Sequence, residues 1–548
     1  MKIEPLKRYA QKELNGWWYI SIFAAAVILL PILYVFAELF QAPNDNWFQI
    51  RQYLLKNYVA NTLILISLTG LFTGLLGVSL AWLTAAYDFP LRKFFRWGLI
   101  LPLAIPPYIA AYTYRTMLSY TGVVQVTLRN QFDYQVNQEL LSISSLRGAV
   151  FIFTLFLFPY VYIISRAFLE SQSASFIENA RLLGRKPLAV FLKVVLPLSR
   201  PAVIGGTVLV IYEVLSDYGV TSYFGIHTIT TAIFQTWFGM YDVDTAMRLA
   251  AWLMMIIVGM FIIERVLRRR QRYSVSNKSR PLVPKKLKGF SAAAAFTFCA
   301  LIFSLGFLIP FIQLLSWARL TLHKVWDSSF FILLYQTVYV AVIATVVILL
   351  LSVIVANVCR SKSPISFILS KWVTAGYSIP GAIIAIGVMA MFIKLDDLLA
   401  PVYASIGLGK APLVLSMSLV MLIVGYIIRF MATGYNAVEV GFEKIGTKYT
   451  EASRLLGKGV TKTFLKVDLP LIKGALFGGF ILTFVEICKE LPLVLLLRPF
   501  NFETLATKTF QYAKDEMIHE AAIPSLMIIL LSTLSVMVLQ MINKKVEK

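Results

Sequence analysis

Four acidic residues stand where an apolar sequence should discourage them: Glu213 and Asp217, then Glu486 and Glu490. Each pair is spaced i, i+4, which places both carboxylates on one face of a helix. The two pairs are separated by 273 positions, the distance from Glu213 to Glu486. Carboxylates are hard oxygen ligands suited to hard metal cations. Ionisable groups inside a bilayer usually face a partner, the bundle interior or a pathway. The chemistry suggested is an electronegative passage or outer gate for a cationic solute. The competing reading is a local ion-pair network, with Lys489 satisfying Glu486 and Arg498 reaching Glu490. A passage for sulfate or phosphate should instead present convergent Arg or Lys, and no such cluster is evident.

Other chemistry is sparsely represented. His227, His323 and His519 fall in separate loops without ligand spacing, and no metal site is assigned. Cys299, Cys359 and Cys488 are unclustered in apolar runs and read as small buried hydrophobes. No Gly-x-x-x-x-Gly-Lys-Ser/Thr phosphate loop is present; Gly457–Thr463 has the wrong spacing and no strand before it. The chain is therefore read as catalysing no covalent reaction and binding no cofactor of its own.

The elements that must hold the acids are membrane helices. Of 548 residues, 58% are hydrophobic and 14% charged, with mean hydropathy +0.75. A run of about 20 apolar residues spans the hydrocarbon layer as a helix. Twelve such spans are expected, near 17–39, 58–86, 97–118, 147–169, 200–223, 246–266, 292–317, 332–357, 372–393, 412–433, 474–497 and 522–542. Trp17–Leu39 is too long for a signal core and lacks a clear small-residue cleavage site, so it reads as a retained first helix. Pro102, Pro106, Pro107 and Pro380 sit in third spans, where they can kink or break a helix and free backbone carbonyls. Tyr218, Tyr223, Trp237 and Tyr241, near the outer end of a fifth span, read as an aromatic belt.

The net charge of +23 could suggest nucleic acid, but its distribution argues otherwise. Most Lys and Arg fall in segments on the same side as the amino terminus, which sets both termini in the cytoplasm. The basic stretch Arg265–Lys288 then reads as a cytoplasmic linker beside anionic lipid, with no nucleic-acid partner.

That linker divides a duplicated chain: a first unit at 1–267, the linker at 268–289 and a second unit at 290–548. Glu178-Asn179-Ala180-Arg181-Leu182-Leu183-Gly184 is answered by Glu451-Ala452-Ser453-Arg454-Leu455-Leu456-Gly457. Phe191-Leu192-Lys193-Val194-Val195-Leu196-Pro197 is answered by Phe464-Leu465-Lys466-Val467-Asp468-Leu469-Pro470. The 273-residue offset persists through Gly205-Gly206 and Gly478-Gly479. Six spans per unit is an even number, so the units are parallel repeats about an axis along the membrane normal.

The repeated segment precedes each fifth span. It reads as two short helices joined at Gly184 or Gly457, where glycine can supply φ > 0. Leu188, Phe191, Leu192 and Val195 are spaced to share one face of the second helix; Val460, Phe464 and Val467 repeat the pattern. Small Ala180 and Ala452 leave room for close docking, and Glu178 and Glu451 offer polar contacts. A plain interfacial connector would also fit.

The pattern Glu-x-Ala-x-x-x-Gly-x9-Val-x-Leu-Pro resembles the cytoplasmic "EAA" loop of bacterial ABC importer permeases. Both copies match at Glu178–Pro197 and Glu451–Pro470, with Asn179 and Ser453 as mild departures. The resemblance implies a type I, MetI-like permease fold. It implies that Glu178, Ala180, Gly184, Leu196 and Pro197, with Glu451, Ala452, Gly457, Leu469 and Pro470, couple to two copies of a cytoplasmic ABC ATPase that bind ATP and Mg. Glu486-Ile487-Cys488-Lys489-Glu490-Leu491-Pro492 through Phe502, and Tyr212–Gly219 with Tyr223-Phe224-Gly225, look like ferric-iron permeases of that class. The resemblance implies residence in the bacterial inner membrane, delivery by an extracytoplasmic solute-binding protein, and Glu213, Asp217, Glu486, Lys489 and Glu490 as pathway or gate. Thiamine and polyamine permeases share the loop, and an ion-gradient-driven secondary transporter would share the duplication.

Overall fold

The computed structural model describes residues 16–171, 175–269, 282–360, 363–407, 413–416 and 418–546. Among these residues, twelve helices carry the frame. The first half contributes α1 Gly16–Ala37, α2 Leu55–Ala86, α3 Pro107–Leu118, α4 Leu146–Ser171, α5 Leu196–Ser216 and α6 Val243–Arg269. The second contributes α7 Ile309–Val325, α8 Ser328–Cys359, α9 Gly381–Ser405, α10 Leu419–Ile445, α11 Lys473–Lys489 and α12 Ala522–Val546. Eight helical stretches are long and apolar enough to cross a membrane, or eleven if each of three bent pairs is one span. The shorter apolar helix Ala522–Val538 lies at the twelfth expected position. The chain is an all-α polytopic membrane protein built twice on one plan: α2 and α8 are both 32 residues long.

Several spans are not the straight rods expected from the hydropathy. In the third span of each half, Arg92–Ala104 meets Pro107–Phe132 at 90°, and Pro364–Ser378 meets Gly381–Ser405 at 108°. The residue before a proline is driven out of the helical region, and Ile105 and Ile379 are extended, with ψ of 108° and 127°. The fifth spans were expected to run on to 223 and 497. Instead α5 and α11 stop where Asp217 and Glu490 turn extended, with ψ of 129° and 126°. The chain restarts there as short helices, Gly219–Tyr223 and Pro492–Leu497. The tenth span starts at Leu419 and not near 412. Asp396 explains the shift: it accepts from the N–H groups of Leu415 and Ser416 at 3.0 and 2.8 Å and holds them in a loop.

Within each half the fourth and fifth spans pack closely over small residues. A Cβ on Gly206 would lie 2.6 Å from Val161 Cα, and one on Gly479 would lie 2.9 Å from Ala437 Cβ. Such backbone approach is a usual source of helix association where lipid removes the hydrophobic drive.

The halves also exchange their first helices. α1 lies on the second half: a Cβ on Gly387 would stand 2.6 Å from the Pro31 carbonyl, and Lys394 Nζ lies 5.5 Å from the Tyr34 ring centroid. The seventh span returns the exchange, with the Trp317 and Tyr112 rings stacked at 6.5 Å. Residues 270–281 of the basic stretch lie outside the described residues. Beyond them, Lys285–Lys286 pairs in parallel with Tyr87–Asp88, a two-residue ribbon that seats the end of the linker on the loop after α2.

Candidate functional site

The broken elements converge. Where the bend before α3 meets the ends of α5 and α11, they enclose a cavity of about 100 Å³. Pro106, Pro107 and Tyr108 supply one wall; Glu213 and Ser216 come from α5 and Asp217 from just past its end, Glu486 and Lys489 from α11 and Glu490 from just past its end. All four acids singled out by spacing therefore meet in one place, from both halves. They do so differently from the expectation. Asp217 and Glu490 are not on a helix face beside their partners, because the helix ends before each of them. Asp217 Oδ1 accepts from the N–H groups of Val220 and Thr221 at 2.9 and 3.3 Å, and Glu490 Oε1 accepts from Leu493 at 3.3 Å. Each carboxylate thus satisfies free N–H groups of the short helix that follows it.

Glu486 is paired with Lys489 at 2.8 Å, as the competing reading required. Its second half is corrected: Arg498 lies beside Glu503 at 3.5 Å, which Lys508 also reaches at 3.1 Å, and Arg498 does not pair with Glu490. The loop after Leu497 carries the Arg498 side chain away from the cavity toward its own local acid. Glu213 lines the cavity without entering an ion pair among the described residues. No three His, Cys, Asp or Glu side chains among the described residues approach closely enough to hold a metal ion. The acids form a lining, not a chelate.

The residue missed by the sequence reading is Arg429. It stands on α10, is 6% exposed, and lines the same cavity. Its guanidinium donates to the Ile379 carbonyl at 2.6 Å, to the Tyr377 carbonyl at 3.3 Å and to Ser216 Oγ at 3.2 Å. The first two are carbonyls freed by the break before Pro380. Ser216 belongs to the other half and also accepts from the Gly381 N–H at 3.1 Å. One guanidinium fork therefore closes the broken third span and pins it to α5. Arg429 and Lys489 together also overturn the expectation that no Arg or Lys converges here. The signal available was a lone charge in an apolar run. It was hidden because Phe156 occupies the equivalent position one repeat earlier. Tyr108 was missed as well; its hydroxyl is buried, has no hydrogen-bond partner among the described residues, and its ring borders the cavity.

A larger cavity of about 1,230 Å³ opens at the distal ends of the fifth spans, lined by Tyr218, Trp237, Arg498, Phe500, Glu503 and Lys514 among others. An aromatic row runs between the two spaces. Tyr108 stands 6.5 Å from Phe510, Phe510 stands 5.8 Å from Tyr218, and Tyr218 stacks on Phe234 at 3.7 Å. Tyr218 and Trp237 thus face a cavity between the halves and not a lipid belt. Tyr223 lies under Arg115 at 4.8 Å, and Tyr241 is exposed.

The repeated segments lie at the opposite ends of α5 and α11. Trp17, at the start of α1, packs edge-to-face on Phe464 at 4.9 Å and donates to Thr461 Oγ1 at 3.3 Å. The first segment packs Ile177, Val190 and Val195 against Trp82 and Tyr87 at the end of α2. Gly184 and Gly457 have φ of +72° and +77°, with no atom of the described residues within 4 Å of an added Cβ. Beside them Leu182, Leu183, Leu455 and Leu456 are 80–89% exposed. Glu178, Glu451, Ala452, Pro197 and Pro470 are exposed, while Ala180, Leu196 and Leu469 are half-buried. The Arg181 side chain lies outside the described residues. The expected apolar face is corrected: Leu188 and Leu192 are exposed, while Val195 is buried. A π-helical turn at Phe191–Val195, matched at Phe464–Asp468, disrupts the 3.6-residue spacing on which that face depended.

Residues 74–273 and 348–548 each match the binding-protein-dependent transport system inner membrane component family. The chain belongs to this family. The two matches cover the duplicated plan seen in the helices and make the molecule a fused two-unit permease of a binding-protein-dependent system. It is 24% identical to an Fe(3+)-transport system permease protein of Haemophilus influenzae, over 88% of this chain and 89% of the relative. Shorter matches include a sulfate transport system permease protein of Salmonella typhimurium, 29% identical over 36% of this chain and 69% of the relative. A molybdenum transport system permease protein of Escherichia coli is 31% identical over 28% and 65%. In this permease the two bent third spans and the two exposed segments occupy corresponding places in the two units, and residues of both units line the one cavity.

Proposed function

We propose that this permease forms the pore of an ATP-driven importer for ferric iron. An extracytoplasmic binding protein delivers the cargo to the larger cavity. Two copies of a separate cytoplasmic ATPase dock on Glu178–Pro197 and Glu451–Pro470 and bind ATP and Mg. Both termini and both segments then lie in the cytoplasm of a bacterial cell whose inner membrane holds the chain. Gly184 and Gly457 let each segment turn sharply, and the exposed leucine pairs beside them are apolar knobs of the kind that mark a protein-docking surface. Closure of the ATPases pushes the segments, α5 and α11 move with them, and the aromatic row and acid-lined cavity open alternately to either side.

The observation that carries the iron reading is the meeting of Glu213, Asp217, Glu486 and Glu490 in one cavity, against only Arg429 and Lys489. Four carboxylates against two cations leave the site electronegative, which favours transit of a hard cation and opposes an oxyanion. The full-length likeness to an Fe(3+) permease supports the same cargo. A second reading, oxyanion import, is favoured by Arg429 and Lys489 and by the half-length relatives named for sulfate and molybdenum. Uptake into vesicles holding the whole transporter, with labelled ferric iron competed by molybdate, sulfate, thiamine and spermidine, separates these. Iron uptake that only excess iron suppresses is the expected result; suppression by molybdate or sulfate, with no iron entry, favours the oxyanion.

A further inference from the structure

The two repeated segments are seated on their membrane halves by different residues at corresponding positions. In the second half, Arg360 at the end of α8 lies 3.2 Å from Asp468 Oδ1, and their side chains are only 15% and 3% exposed. Arg360 also donates to Thr450 Oγ1 at 2.9 Å and to the Gly446 carbonyl at 3.0 Å. Thr450 in turn donates to Asp468 Oδ1 at 2.6 Å, and Ser453 and Thr463 hydroxyls meet at 3.0 Å. One arginine therefore gathers the end of α10 and both helices of the segment. One repeat earlier, at the same 273-residue offset, the five equivalents of Arg360, Thr450, Ser453, Thr463 and Asp468 are Tyr87, Ile177, Ala180, Val190 and Val195. Ile177, Val190 and Val195 are buried with Trp82, Tyr87 and Leu169 in an apolar cluster. Four of the five positions switch together from aliphatic to polar, and the fifth from a tyrosine to an arginine.

The backbone explains why the second seat needs directional bonds. Pro187–Ser216 is one continuous helical stretch, so the first segment inherits its direction from the fifth span. Val460–Leu471 and Lys473–Lys489 instead meet at 72°, around Ile472. A bent joint fixes no direction by itself, and an apolar seat tolerates sliding. A buried charge pair with shared hydrogen bonds does not, because any misalignment leaves a desolvated charge unsatisfied.

We propose that Arg360 and Asp468 are positioning residues for the second segment, holding it at the angle from which it transmits force, and that the two segments are not equivalent. The proposal rests on the coupling role given to these segments above.

The test has two readouts. Hydrogen–deuterium exchange of the purified permease alone needs no ATPase. In Arg360→Gln, exchange across 448–471 should rise by roughly tenfold or more, the factor carried by one lost charge-assisted hydrogen bond. Exchange across 175–197 should stay at the wild-type rate and serves as the internal control. In the assembled transporter the same variant should lose uptake per ATP hydrolysed. The five-residue transplant Arg360→Tyr, Thr450→Ile, Ser453→Ala, Thr463→Val and Asp468→Val should restore protection even if the single variant folds poorly. Unchanged exchange in Arg360→Gln, a transplant less protected than wild type, or raised exchange with normal uptake per ATP would each overturn the proposal. Failure of the coupling reading itself looks different: Gly457→Trp would then leave uptake per ATP untouched.

Discussion

At the scale of single residues, the site combines charges that do different work. Arg429 is structural and electrostatic at once: its fork closes two freed carbonyls and reaches Ser216 across the halves. Arg429→Gln should destabilise the permease by about 2–4 kcal/mol, since charge-assisted buried hydrogen bonds are worth roughly 1.5–3 kcal/mol each and their loss strands acceptors. Arg429→Lys should recover little, because an ammonium cannot span carbonyls in a fixed planar fork. Thermal unfolding in detergent reads both. At position 217, Asp217→Asn keeps an acceptor for the Val220 and Thr221 N–H groups and removes only charge. It should retain wild-type folded yield and lower cation uptake, whereas Asp217→Ala should lose both; equal yields for the two would refute the cap. Glu486→Gln with Glu490→Gln should likewise lower iron uptake more than membrane yield, and a parallel fall in both would favour a purely structural ion pair. The four acids were legible because repetition doubled the signal. Arg429 was not, because Phe156 breaks the repeat there.

At the scale of elements, breaks matter more than helices. Ile105-Pro106 and Ile379-Pro380 could be read as interruptions, since proline constrains its predecessor. The ends of α5 and α11 could not, because nothing in a continuous apolar run says that Asp217 and Glu490 will serve the next backbone and stop the helix. The π-helical turns were equally silent, and they spoil the spacing argument for Leu188 and Leu192. Glycine, by contrast, was read correctly from its place after Leu-Leu: Gly184 and Gly457 sit at positive φ in open space. That openness sharpens a prediction. A Cβ at Gly184 or Gly457 meets no atom of the described residues within 4 Å, so Gly184→Trp and Gly457→Trp should cost about 1–2 kcal/mol for a left-handed non-glycine residue. Their main effect should fall on the docking partner. Membrane insertion should be normal while uptake per ATP collapses; normal uptake with retained ATPase binding would remove the coupling role.

At the scale of the whole molecule, duplication was plain in the sequence, but the exchange of first helices was not. A repeat tells which residues correspond, not which copy a helix packs against, and α1 is too uniformly apolar to reveal a preferred neighbour. The exchange has a measurable outcome. Residues 290–548 expressed alone lack α1, and the Gly387 groove that receives Pro31 and Val35 is bared. That fragment should be degraded or aggregate, and co-expression with residues 1–267 should rescue it as a co-purifying pair. Stable accumulation of the isolated fragment would contradict the interlocked arrangement.

The ribbon between Tyr87–Asp88 and Lys285–Lys286 reduces the molecule's nominal twofold relation to none. One flank of the axis carries the returning chain and its lysines; among the described residues no second ribbon answers it, and Arg360 stands where Tyr87 would. Spectroscopic probes placed at Leu183 and Leu456 must therefore give two distinct resonances, even when identical proteins are bound at both.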